Sequence, residues 1–88
     1  MFRLWIKEIN DNHLVKDITI SDDRDDSRTH KVLQSLEKGC ASFDICVPIW
    51  LDSNISEFKK VSKTRFTKDS FIESIDFDYL EIQVIEED

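Results

Sequence analysis

Three groups of side chains in this sequence could do chemistry. Asp22, Asp23, Asp25 and Asp26 place four carboxylates in five positions, the clustered hard oxygen that calcium or magnesium takes. The EF-hand pattern is not met: no glycine stands at the turn, and Gln34 occupies the position that should supply a bidentate glutamate. The plainer reading is a solvated acidic loop whose charge favours the N-terminus of a following helix. His13, His30, Cys40 and Cys46 are zinc-ligand types, but five residues separate the cysteines rather than two to four, and the histidines are not paired in sequence. They read as two small reduced thiols and two turn or surface histidines. Asp52 followed by Glu57-Phe58-Lys59 has the acid and Glu-x-Lys outline of metal-dependent nucleases, at a short spacing and with Glu57 on a helix. No catalytic residue, no metal and no cofactor is assigned.

Charge distribution is more informative. The 88 residues carry 12 cations and 19 acids, a net charge of −7. Five of the cations, Lys59, Lys60, Lys63, Arg65 and Lys68, fall within ten residues that hold no acid. The rest of the chain has seven cations against nineteen acids, a net charge of −12. An acidic body disfavours general binding to nucleic acid or anionic membrane. The basic stretch, interleaved with Phe58 and Phe66, is the local exception, because cations steer phosphate and rings stack bases. Its other readings are a solvated face and a contact with an acidic surface on another protein.

The elements that must position these groups follow from periodicity. Residues 2–9 alternate Phe2, Leu4, Ile6 against Arg3, Trp5, Lys7, and residues 13–20 set Leu14, Ile18, Ile20 against Val15, Asp17, Thr19. Asn10-Asp11-Asn12 between them is a turn, so the two strands form an antiparallel hairpin. Thr29, Val32, Leu33, Leu36, Cys40 and Phe43 form the apolar stripe of a helix, capped by Asp26 or Ser27, with Gly39 marking fraying or a kink near its end. Cys46 to Leu51 contains Pro48 and is a buried connector or an edge strand. Asp52 or Ser53 caps a shorter helix through about Val61, with Ile55, Phe58 and Val61 inward. Thr64–Phe66 is a short strand, and Asp69–Ile75 a turn of helix anchored by Phe71, Ile72 and Ile75. Tyr79 to Glu86 alternates again and is the final strand, from which a complete domain is expected.

The expected fold is one α+β domain over residues 1–88. Its antiparallel sheet has three or four strands, the N-terminal hairpin plus the C-terminal strand, packed by one main helix and a second short helix. One glycine and one proline leave no flexible linker and no glycine-rich ligand loop. The start lacks the uninterrupted apolar run of a signal peptide and no stretch is long enough to span a membrane. The expected location is therefore cytoplasmic.

The segments Pro48 to Asp52 and Thr64 to Asp88 resemble parts of short uncharacterised bacterial proteins. The resemblance implies a small bacterial cytoplasmic protein and attaches no activity to it.

If Leu4, Ile6, Ile18, Leu80, Ile82 and Val84 face the main helix, Trp5, Val15, Tyr79 and Ile85 face away, and aromatics on an uncovered sheet face suit association. The alternative is that residues 45–76 fold over that face. The expectation is a small non-enzymatic protein-interaction module, a homodimer through an open sheet face or edge, or a partner of another protein. A nucleic-acid-binding or regulatory protein using Lys59 to Lys68 is the alternative.

Overall fold

Asp11 and Asn12 both adopt left-handed backbone, with φ of 55° and 63°, which a two-residue turn needs to match the twist of the strands it joins. In the computed structural model, which describes residues 1–87, this turn joins β1 (Phe2–Asn10) to β2 (His13–Asp22). The chain continues through α1 (Arg28–Ser42), α2 (Asp52–Val61), β3 (Lys63–Phe66), a 3₁₀ turn at Lys68–Ser70 and β4 (Tyr79–Glu86). The four strands make one antiparallel sheet in the order β2-β1-β4-β3, and the α+β architecture is as expected.

Two bulges modify the expected faces. Glu8 pairs with Lys16 and Ile9 with Leu14, which leaves Val15 as the extra residue. Leu14 therefore shares a face with Ile9, not with Ile18 and Ile20, because a one-residue shift moves a side chain across the sheet. On β4, Leu4 pairs with Val84 and Arg3 with Glu86, leaving Ile85 as the extra residue.

Ser27 caps α1: its hydroxyl accepts from the backbone N–H of His30 at 3.2 Å. The far end closes with Asp44 in left-handed backbone (φ 58°). The Ile45 N–H donates to the Cys40 carbonyl and the Asp44 N–H to the Ala41 carbonyl, a Schellman ending. The helix does not fray at Gly39 but continues to Ser42. Gly39 lies against β1, where a β-carbon would meet Ile6 Cδ1 at 2.2 Å. With buried Ser35 one turn earlier, it forms a small-residue seam that brings α1 down on the sheet. That approach turns the buried side of α1 toward Val32, Ser35, Leu36, Gly39 and Cys40 and leaves Leu33, expected inside, 45% exposed.

The start of α2 also differs from expectation. Leu51, not Asp52 or Ser53, is the capping residue. Asn54 serves in place of a cap side chain: its Oδ1 accepts from the Leu51 N–H at 3.1 Å. Its Nδ2 donates to Thr64 Oγ1 at 2.9 Å and to the Arg65 carbonyl at 2.8 Å. One buried amide thus fixes both the helix start and its seat on β3. Phe58 points inward, but Ile55 and Val61 are 41% and 59% exposed, because α2 rests on a four-residue edge strand too narrow to cover a full apolar stripe.

Residues 46–51 form an irregular connector, not an edge strand. Trp50 meets Phe58 and Phe66 edge to face, with centroids 5.4 and 5.0 Å apart. The helical turn expected at Asp69–Ile75 is limited to Lys68–Ser70. Phe71 and Phe77 are buried against each other, while Ile72 is 81% exposed and anchors nothing. The core joins Leu4, Ile6, Leu36, Cys40, Phe58, Phe66, Phe71, Leu80 and Ile82 in one cluster. Of residues 45–76, Phe58, Phe66 and Phe71 belong to this cluster and Ile45, Cys46, Trp50 and Ile75 pack against it.

Gly39→Ala should destabilise the fold by about 1–3 kcal/mol through overpacking, in spite of alanine's better helix propensity. Ile6→Val removes the clashing Cδ1, so the double variant should lose less than the sum of the singles in urea unfolding. Strict additivity would mean that the two positions do not touch.

Candidate interaction surfaces

The sheet face opposite the helices is built from paired residues of β1 and β4: Trp5 with Gln83, Lys7 with Glu81, Ile9 with Tyr79. β3 adds Lys63 and Arg65 beside Gln83 and Glu81. Lys7 Nζ lies 2.9 Å from Glu81 Oε2 and 3.9 Å from the centre of the Trp5 ring. Arg65 Nε lies 3.4 Å from Glu81 Oε1, and its guanidinium 4.6 Å from the Tyr79 ring centre. Trp5 Nε1 donates to Asp17 Oδ2 at 2.8 Å. The side chains of Lys7 and Glu81 are only 12% and 9% exposed. This face is closed by its own ions and rings, each ring carrying one of the chain's own cations. Burial opposes ionisation of Glu81, but the hydrogen bond and charge of Lys7, then Arg65 and Lys63, outweigh it and hold the carboxyl below its ordinary value.

The four residues singled out for association are therefore not one patch. Trp5 and Tyr79 share the face but stand on either side of the Lys7–Glu81 pair. Val15 and Ile85 are the two bulge residues, one near the hairpin turn and one at the end of β4.

The basic stretch is likewise divided. Lys59 and Lys60 lie in the last turn of α2, Lys63 and Arg65 on the outer side of β3, and Lys68 opens the 3₁₀ turn. Arg65 is already engaged by Glu81 and Tyr79. The alternation of a strand following a helix sends neighbouring cations to different surfaces.

The candidate chemistry resolves into structural partners. Arg24 grips Asp22 through Nε and Nη2 at 2.9 and 2.8 Å, which holds that carboxyl far below the usual range. Asp26 accepts from His30 Nδ1 at 2.9 Å and from the Ser27 N–H at 2.7 Å, and these bonds lower it. Both cysteines are free thiols, and burial pushes Cys40 up to about 12. Asp52 and Glu57 lie exposed on α2. Among the described residues no group of three or more His, Cys, Asp or Glu side chains could hold a metal. No helix among them is long and apolar enough to cross a membrane.

Two further surfaces stand out, an edge that the sequence expected without assigning it to a strand and a groove that it did not show. The first is the free edge of β2, ten residues long, whose outer side meets no backbone partner among the described residues. The second is a groove of about 370 Å³ between α1 and α2, lined by apolar side chains with Arg28 and Lys59 among them. Strand order hid the first, and the rotation of Leu33 and Ile55 out of the core hid the second. No family model, curated protein or solved structure matches this chain.

Glu81→Gln should cost about 1–3 kcal/mol at neutral pH by leaving Lys7 without its carboxylate. A carboxyl with a depressed folded pKa adds stability above its unfolded value, about 4.3, and loses it as pH falls through the folded value. The gap between wild type and variant should therefore close below the ordinary glutamate range. Urea titrations across pH check this, and a gap independent of pH would assign the loss to packing.

Proposed function

We propose that the chain is a non-enzymatic protein-interaction module that self-associates through the free edge of β2. Asp22, Asp26 and the Cys40 thiol are committed to structural roles, whereas the edge presents unpaired backbone groups. Such an edge templates pairing unless proline, a bulge or charge blunts it. β2 has no proline, and its bulge at Val15 leaves Lys16–Asp22 regular.

Symmetry selects the register. A two-fold axis perpendicular to the sheet keeps every side chain on its own face, so each residue meets itself or one an even number away. An axis at Lys16 or Asp17 stacks like charges. An axis at Ile18 sets Lys16 against Ile20, and one at Ile20 sets Ile18 against Asp22. An axis at Thr19 pairs Thr19 with its copy, Ile18 with Ile20, Asp17 with Ser21 and Lys16 with Asp22. This register alone matches apolar with apolar and cation with acid. Ile18 and Ile20 already border the core, so the pairing extends that core into an eight-stranded sheet.

Light scattering across a concentration series should find a dimer. Thr19→Lys, which sets two cations opposite each other at the axis, should return it to a folded monomer, while Trp5→Glu should leave it dimeric. On a Cys46→Ser background, Thr19→Cys should form an intermolecular disulfide, because directly opposed α-carbons lie about 4.5–5.5 Å apart. Ser21→Cys, opposite Asp17, should not. A wild type that stays monomeric at millimolar concentration removes the reading. A dimer broken by Trp5→Glu and not by Thr19→Lys moves the interface to the outer face.

A further inference from the structure

Each helix packs on its own half of the sheet, α1 over β1 and β2 and α2 over β3, and Arg28 bridges them, its guanidinium 5.2 Å from the Phe58 ring centre and its Nη2 2.9 Å from Ser62 Oγ. The space between the helices is the groove. Val32, Phe58 and Trp50 are core residues or border the core, while Leu33 and Ile55 stand exposed on its walls. The apolar stripes of both helices therefore continue past the sheet and converge on this gap. Uncovered apolar surface concentrated in a concave site marks a binding site more than scattered exposed residues do.

Length and charge narrow the occupant. On α1 the groove runs only from Arg28 to Leu33, about 7.5 Å at the helical rise. That is too short for a helix binding through residues spaced over two turns, but its volume suits a small ligand. Both charged residues in its lining, Arg28 and Lys59, are cations, in a protein of net charge −7. Arg28 is already engaged by Glu87, which stands outside the lining, so Lys59 is the cation left to the groove. Lys59 has no ion-pair partner among the described residues.

We propose that the groove between α1 and α2 binds a small apolar carboxylate, its hydrocarbon part among Val32, Leu33, Trp50, Ile55 and Phe58 and its carboxylate at Lys59. This goes beyond the self-association reading and does not depend on it.

Trp50 supplies the readout. Trp5→Phe removes the only other tryptophan, on the opposite face of the sheet, so emission then reports the groove. Octanoate titrated in the low millimolar range should shift Trp50 emission saturably. Octanol, of equal chain length without the charge, should bind about tenfold more weakly, and Lys59→Glu, on an exposed position, should weaken octanoate by a similar factor. Leu33→Gln, also exposed, should weaken both. An emission that octanoate leaves unchanged overturns the proposal and leaves the groove to a protein side chain. Equal affinity for octanol, or octanoate binding unaffected by Lys59→Glu, overturns the role of charge and with it the ligand class.

Discussion

The pairing of β1 with β4 is the contact on which the rest of the molecule depends. It joins the first strand to the last at the centre of the sheet and buries Leu4, Ile6, Leu80 and Ile82 completely. Every other element attaches to this pair. The hairpin turn hangs β2 on one side of it, β3 adds to the other, and each helix covers one flank. A contact between residues 70 or more positions apart carries a large loop-closure cost before it contributes anything. The burial of both central strands must offset that cost. With β1 and β4 in the middle of the sheet, β2 and β3 are its edges, and the outer side of the longer one meets no backbone partner among the described residues.

Close packing onto that central pair shapes the helices. α1 reaches β1 through Ser35 and Gly39, and the absent β-carbon at Gly39 is the space that Ile6 fills. α2 cannot move in beside α1, because Asn54 ties its first turn to Thr64 and Arg65 on the far edge. Two helices that would each bury a broad stripe are thus held apart. Leu33 and Ile55 line the gap, and the groove results from where the sheet anchors its covers.

On the opposite face the same central pair needs no cover. A lysine and a glutamate directly opposed in an antiparallel pair meet closely. Trp5, Tyr79 and Arg65 shield them on both sides, so charged residues close a face that a second layer would otherwise have to bury. This explains why a tryptophan and a tyrosine away from the core do not by themselves make an association surface. Their ring faces are partly occupied and the Trp5 N–H is bonded to Asp17.

Alternation with period two and a stripe with period 3.6 were enough to determine the hairpin, the main helix, the short second helix and the last strand, because those patterns depend only on local backbone geometry. A cap at Asp26 or Ser27 and a turn at Asn10-Asp11-Asn12 are equally local, and the structure narrows them to Ser27 and to Asp11-Asn12. Strand order, the bulges at Val15 and Ile85, the role of Gly39 and the outward turn of Leu33 and Ile55 were decided by tertiary contacts. Each depends on which remote residue lies opposite, and no window of neighbours contains that partner. The candidate surfaces belong to this second class: Lys16 to Asp22 is a free edge only because β1 pairs with β4 on its other side. Arg28 and Lys59, 31 positions apart, share a groove only because their two helices are anchored to different strands.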